Sequence, residues 1–427
     1  MSHTIERHQT QATLADPRLW PDIVTVPSGG VRSRVAKALF ERVVRRLPVR
    51  VLLPDGHVLG AGGLDGPVMD LVRPESFFRR VGAGGLIGFG EAYQAGDWTA
   101  DDLAGVLTVF ARRMASLVPP PLQRLRDLAV QHQPSSEHGT EANARNNISR
   151  HYDLSNDLFA LFLDESMTYS SALFGGEELG QPLTSGTALL EAQHRKIDRL
   201  LDGAGVRAGS RVLEIGTGWG ELAIRAARRG ATVRSITLSE EQQVLARQRV
   251  ADAGLSDRVT IDLCDYRAAT GVYDAVLSVE MIEAVGYSFW PSYFQVLDRL
   301  LAPGGRVGIQ AITMPHDRML ASRDTYTWIH KYIFPGGLLP SVRAIRETVA
   351  EHTALHVAEM LSFGAHYAQT LQLWRETFDA RAAEVDALGF DRTFRRMWRF
   401  YLAYSEAGFR SGYLDVQQLI LTKGAAV

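Results

Sequence analysis

The sequence predicts an α/β protein: a seven-stranded, doubly wound, Rossmann-like sheet preceded by a smaller α+β unit. Two observations carry the prediction. The first is the stretch Val212 to Glu221, an apolar run that turns through Gly216, Gly218 and Gly220 into a helical pattern. The second is the succession of short apolar runs after that turn, separated by segments of helical periodicity. Such alternation is the pattern of a parallel sheet with its ligand crevice beyond the strand carboxyl ends. A chain of 427 residues is long enough for that sheet and a second unit.

Residues near 1–30 lack apolar periodicity. Between Val31 and Arg50, the bases Arg32, Arg34, Lys37, Arg42, Arg45, Arg46 and Arg50 stand against one acid, Glu41, while Val31, Val35, Leu39 and Val43 recur at helical spacing. The spacing predicts a basic amphipathic helix, either an ordinary surface helix or one that lies on a membrane. Val49 to Leu53 and Val58-Leu59 flank Pro54-Asp55-Gly56 and predict a hairpin. Phe77 to Arg80 and Gly88 to Trp98 complete the small unit. Prolines 119–121 and the polar run Gln133 to Thr140 interrupt the periodicity. The first domain is therefore placed at 1–130, a linker at 131–141 and the second domain at 142–427.

In the second domain, strands are expected at Val212 onward, Val233 to Leu238, Val259 to Cys264 and Asp274 to Val279. A fifth, Val307 to Ile312, comes after the turn Pro303-Gly304-Gly305. Strands near 357–363 and 415–422 complete the sheet, the last inserting antiparallel. Glycines at 216, 218 and 220 give positive φ and let the backbone approach a ligand where a Cβ would block it. Their spacing is G-x-G-x-G with Glu214 inside the strand. A dinucleotide site asks for G-x-G-x-x-G; an acid just before the first glycine instead suits the cationic amino-acid end of S-adenosylmethionine.

Composition narrows the function classes. Formal net charge is −2, so the global footprint for nucleic acid is missing. Cys264 is the single cysteine, which excludes an internal disulfide and fits a reducing cytoplasm. No signal peptide is read at the N-terminus, and no stretch approaches the ~20 apolar residues of a membrane span. His, Cys and carboxylates show no metal-ligand spacing, and no metal is expected. Lysine supplies only Lys37, Lys196, Lys331 and Lys423 among 46 basic residues, which points to a GC-rich genome.

Five motifs, in order, resemble the cyclopropane fatty acid synthase and mycolic acid cyclopropane synthase family. They are Arg150 to Phe159, Met167-Thr168-Tyr169-Ser170-Ser171, the 212–221 turn, Tyr332 to Gly337 with Leu339-Pro340-Ser341, and Phe363 to Leu371. The resemblance spans about residues 140–420 and implies a methyltransferase domain dependent on S-adenosylmethionine, with a lipid-docking domain before it. Members of the family methylate the cis double bond of an acyl chain, usually within a membrane phospholipid. By resemblance, Tyr152, Tyr169 and Ser170 close over the cofactor, while Glu214, Gly216, Thr217 and Gly218 underlie its methionine part. Thr237, Leu238 and Gln242 approach the ribose, Asp265 and Tyr266 the adenine, and Val279 ends the adjacent strand.

Methyl attack on an alkene leaves a carbocation, which aromatic faces stabilise by roughly 0.5–2 kcal/mol each when desolvated; Tyr169, Phe334 and Tyr367 are the candidates. A base must then take a proton. In cyclopropane-forming members the resemblance implies a bound bicarbonate, held by a cysteine, a glutamate, a histidine, an isoleucine backbone and a tyrosine, here Ser171, Glu283, Gln310, Ile312 and Tyr367. Two of the five differ, since Ser171 replaces the cysteine and Gln310 the histidine. Val279 to Gly286 with Gln310 to Met314 resembles the actinobacterial branch that makes 10-methylene and 10-methyl, tuberculostearic-type chains. The expected product from an oleoyl phospholipid is thus a 10-methylene stearoyl lipid, which a separate reductase would saturate. A carboxylate then serves as base in place of bicarbonate, with Glu283 first and Glu141 and Glu280 behind it. A homodimer, peripheral on the inner membrane face, is expected. Three alternatives stay open: ring formation with bicarbonate retained, methylation of a soluble amine, and a lipid-binding protein with an idle site.

Overall fold

A computed structural model describes residues 15–113, 155–181, 187–323 and 325–424. The glycine turn opens a seven-stranded sheet. Its strands are β4 (Arg211–Ile215), β5 (Thr232–Thr237), β6 (Val259–Leu263), β7 (Tyr273–Val279), β8 (Leu301–Thr313), β9 (Leu355–Ser362) and β10 (Asp415–Lys423), in the order β6-β5-β4-β7-β8-β10-β9. The pairs from β6 to β8 are parallel, and β10 runs antiparallel to both β8 and β9. Side chains on successive strand residues point to opposite faces, and the two cores divide accordingly. Val212, Val233, Ala275 and Leu277 pack with the helices Ala188–Gly203, Glu221–Arg228 and Glu240–Asp252. Leu213, Ile215, Ile236 and Val276 pack against Trp290–Leu300 and Val342–His352 on the other side.

The expected turn at Pro303-Gly304-Gly305 is absorbed into β8 as an irregularity. Leu301 pairs with Tyr273, and the register then shifts so that Arg306 pairs with Ala275. Gly305 is required there, because a Cβ would lie 2.7 Å from the Asp274 carbonyl oxygen. Register across β10 places Gln418 beside Gln310.

The chain forms two compact units. One contains the residues up to Leu103 together with Ala382–Phe400; the other contains Ala104–Arg381 and Tyr401 onward. Within the first, β1 (Arg50–Leu52) pairs antiparallel with β2 (Val58–Leu59) and parallel with β3 (Val68–Asp70). The two apolar segments expected at 77–80 and 88–98 join in the helix Pro74–Ala95, kinked where Gly85 takes φ +55°. Buried Arg80 bonds Asp97 at 3.0 Å and the Asp22 carbonyl at 2.8 Å. Phe400 lies 5.3 Å from Tyr93 and 6.3 Å from Trp98 by ring centroids, and Arg396 donates to the Tyr93 carbonyl at 2.6 Å. The late segment therefore supplies core to the early one. The expected linker at 131–141 lies outside the described residues.

Candidate active site

A cavity of about 1090 Å³, counted to its open mouth, lies where the carboxyl ends of β4, β5 and β7 meet the glycine turn. Gly216 and Gly218 take φ +95° and +51°. A Cβ on Gly216 would come within 3.3 Å of Met281 Cγ, whereas the space beside Gly218 is open to 4 Å. That turn leaves the backbone accessible to a ligand. Of the residues expected to contact the cofactor, Glu214, Gly216, Thr217 and Gly218 line the cavity from β4 and its turn, and Thr237, Leu238 and Gln242 from β5 and the helix after it. Tyr169, Ser170, Tyr266 and Val279 line it as well. Asp265 does not: both of its carboxylate oxygens are taken by Arg267, at 2.6 and 2.8 Å. Tyr152 and Glu141 lie outside the described residues.

Electrostatics concentrate on three buried acids, Glu214, Glu280 and Glu283, and one amine, Lys196. Glu214 is 3% exposed and accepts from Ser235 Oγ at 2.6 Å, with Thr217 Oγ1 2.7 Å from the same hydroxyl. Burial pushes its carboxyl up to about 8, against the pull of Ser235 and Lys196. An anionic carboxylate there is costly until a cation neutralises it, so the site fits the ammonium of an amino-acid ligand. Lys196, equally buried, donates to Ser170 Oγ at 2.6 Å and is pushed down to about 8 by its desolvation. Sequence reasoning missed Lys196 as a cavity residue. Its signal was present as a rare lysine on the apolar face of a helix, between Ala192 and Leu200.

The residues expected to hold an anion divide between two carboxylates. Glu280, which lines the cavity, accepts from the Ser171 backbone N–H at 3.0 Å and Gln310 Nε2 at 2.8 Å on Oε1, and from the Tyr367 hydroxyl at 2.6 Å on Oε2. Ser171, Gln310 and Tyr367 thus meet Glu280 rather than Glu283. Ser171 uses its backbone, its own Oγ donating to the Ala172 carbonyl, so replacing a cysteine at this position leaves the contact intact. Glu283 keeps the last of the set: its Oε1 accepts from Ile312 N–H at 2.5 Å. Its Oε2 is buried with no hydrogen-bond partner among the described residues. Burial and the neighbouring Glu280 charge push it up to about 8.

Aromatic rings wall this region. Tyr169 stacks on Trp374 with centroids 5.2 Å apart and its hydroxyl lies 2.7 Å from that of Tyr401, while Tyr367 stacks on Phe409 at 4.6 Å. Phe334 meets Tyr401 edge-on at 5.8 Å. Trp219, in the glycine turn, donates to Asn156 Oδ1 at 2.7 Å and so ties the helix Asn156–Phe162 to the cavity wall. Among the described residues no group of three or more His, Cys, Asp or Glu gathers as a metal site.

Known proteins resemble this chain along most of its length. The chain is 55% identical, over 98% of its length and 99% of the relative's, to the tuberculostearic acid methyltransferase UfaA1 of Mycobacterium tuberculosis. It is 33% identical to the cyclopropane-fatty-acyl-phospholipid synthase of Escherichia coli, over 83% of this chain and 87% of that one. Among solved structures, mycolic acid cyclopropane synthase CmaA1 complexed with SAH and CTAB matches with TM-score 0.59 and 30% identity, covering 68% of this chain and 99% of its own. The family model for mycolic acid cyclopropane synthetase matches residues 140–419, and the chain belongs to that family of S-adenosylmethionine-dependent methyltransferases.

Proposed function

We propose that this enzyme methylates the cis double bond of oleoyl chains in membrane phospholipids and that its product is a 10-methylene stearoyl lipid. The observation that carries this reading is the likeness along nearly the whole chain to a tuberculostearic acid methyltransferase. Bound S-adenosylmethionine supplies an electrophilic methyl group. Glu214 faces the ligand's ammonium, and Gly216 and Gly218 let the backbone approach its methionine part. Tyr169 and Tyr367, held by Trp374 and Phe409, keep aromatic faces against the charge that develops on the acyl chain. After a 1,2-hydride shift along that chain, loss of a proton from the added methyl group leaves the exocyclic double bond.

The proposal extends to the partners. The substrate is an unsaturated phospholipid, a separate reductase would saturate the methylene, and the enzyme works as a homodimer on the inner membrane face. No helix among the described residues is long and apolar enough to cross a membrane. Mass spectrometry and proton NMR of lipids from oleate-containing bacteria expressing this chain alone test the reading. Vinylidene protons are expected. Upfield ring protons would make it a cyclopropane synthase instead, and unchanged lipids would return the reading to amine methylation.

A further inference from the structure

We propose that Glu280 is the catalytic base, its carboxylate occupying from within the chain the anion seat that the family resemblance assigns to a bicarbonate. The inference rests on the C-methylation reading above and deepens it. Three donors from three separate segments converge on this one carboxylate: the Ser171 N–H at the end of the Met167–Ser171 motif, Gln310 on β8, and Tyr367 on the helix Gly364–Ala380. Gln310 is itself aimed. Its Oε1 accepts from Gln418 Nε2 at 3.1 Å, and Gln418 Oε1 accepts from Arg199 at 2.7 Å, so the amide of Gln310 presents its NH₂ to Glu280.

A purely structural pin would not need the backbone found here. Glu280 has φ +49°, a conformation that costs a side chain of this kind on the order of 1–3 kcal/mol and that clusters at functional sites. Within the described residues it shares that trait only with Met167, which lines the same cavity. Burial raises the Glu280 carboxyl above the usual range while Tyr367, Lys196, Ser171 and Gln310 oppose it, and a carboxylate so raised is a stronger base. Glu283 lacks those three donors, and the neighbouring Glu280 charge raises its carboxyl further.

The step balances. A C–H bond of the new methyl group breaks, its electron pair becomes the second bond of the exocyclic C=CH₂, and the proton lands on a Glu280 carboxylate oxygen. It leaves through the cavity mouth when the products depart.

The test compares wild type, Glu280→Gln and Glu280→Gly on oleoyl phospholipid vesicles in carbonate-free buffer. Wild type is expected to turn over without bicarbonate, and Glu280→Gln to lose at least about 100-fold in rate while binding S-adenosylhomocysteine as wild type does. Glycine relieves the φ +49° strain, so Glu280→Gly is expected to fold, to lose activity and to regain it with added bicarbonate. Calorimetry supplies a readout independent of lipid turnover: bicarbonate binds Glu280→Gly and not wild type. A wild type that requires bicarbonate, a Glu280→Gln rate within about tenfold of wild type, or no bicarbonate binding by Glu280→Gly overturns the assignment. Absence of lipid methylation by wild type would instead fail the earlier reading, with the calorimetry still deciding the seat.

Discussion

At the scale of single residues, the proposed pairing of Glu214 with the ligand's ammonium makes cofactor binding a protonation-linked event. Its carboxyl is raised to about 8 in the free protein because burial disfavours the anion. A cationic ligand favours the anion, so binding draws the carboxyl back down and releases a proton at pH 7. Affinity for S-adenosylmethionine therefore rises as pH increases toward 8, by at most about tenfold per unit, and flattens above it. Calorimetry at pH 7 in two buffers of different ionisation enthalpy should show release of nearly one proton in wild type, and clearly less in Glu214→Gln. Site residues are unevenly legible in the sequence. The glycines and Glu214 show themselves because their chemistry is local. Glu280 stands behind Glu283 in the sequence because its donors come from residues 171, 310 and 367, and nothing in linear spacing shows which of two acids three residues apart a distant amide will meet.

At the scale of elements, the parallel core is legible because each strand carries a complete apolar run, and the antiparallel entry of β10 is found as expected. The role of β10 at the site is not legible. Gln418 looks like an outward polar residue, yet its register beside Gln310 makes it part of the anion seat. The basic segment is the helix Val31–Val44, and it leaves Val31 67% and Val35 51% exposed next to Arg32, Arg34 and Lys37. Apolar side chains at the surface among bases suit an anionic lipid interface better than an internal packing face. Each basic residue near such a surface contributes about 1 kcal/mol. Arg32→Glu with Arg34→Glu should therefore weaken binding to phosphatidylglycerol vesicles by at least about tenfold, and by less in high salt. Sedimentation with vesicles measures it, and unchanged binding would reduce the helix to an ordinary surface element.

At the scale of the whole molecule, the unit that looks N-terminal in sequence is discontinuous. Ala382–Phe400 belongs to it, with Phe400 packed on Tyr93 and Trp98. The aromatic run at 394–400 is buried, in keeping with its helical spacing, but periodicity cannot say which core a helix joins. A chain that begins at Leu103 would leave Phe400 without Tyr93 and Trp98, at a cost on the order of 1.5–3 kcal/mol for a large apolar side chain. Such a truncation is expected to lower the melting temperature and bind a hydrophobic dye. A truncated chain that melts like the full one would show that the early segment is a detachable module.

The same discontinuity bears on biosynthesis. Domains generally fold as their residues emerge, N-terminal first, yet the early segment here cannot bury Tyr93 and Trp98 against Phe400 until that residue has left the ribosome. The first part of the chain to be made is thus among the last to be finished, and its apolar faces stay open to chaperones throughout synthesis of the sheet.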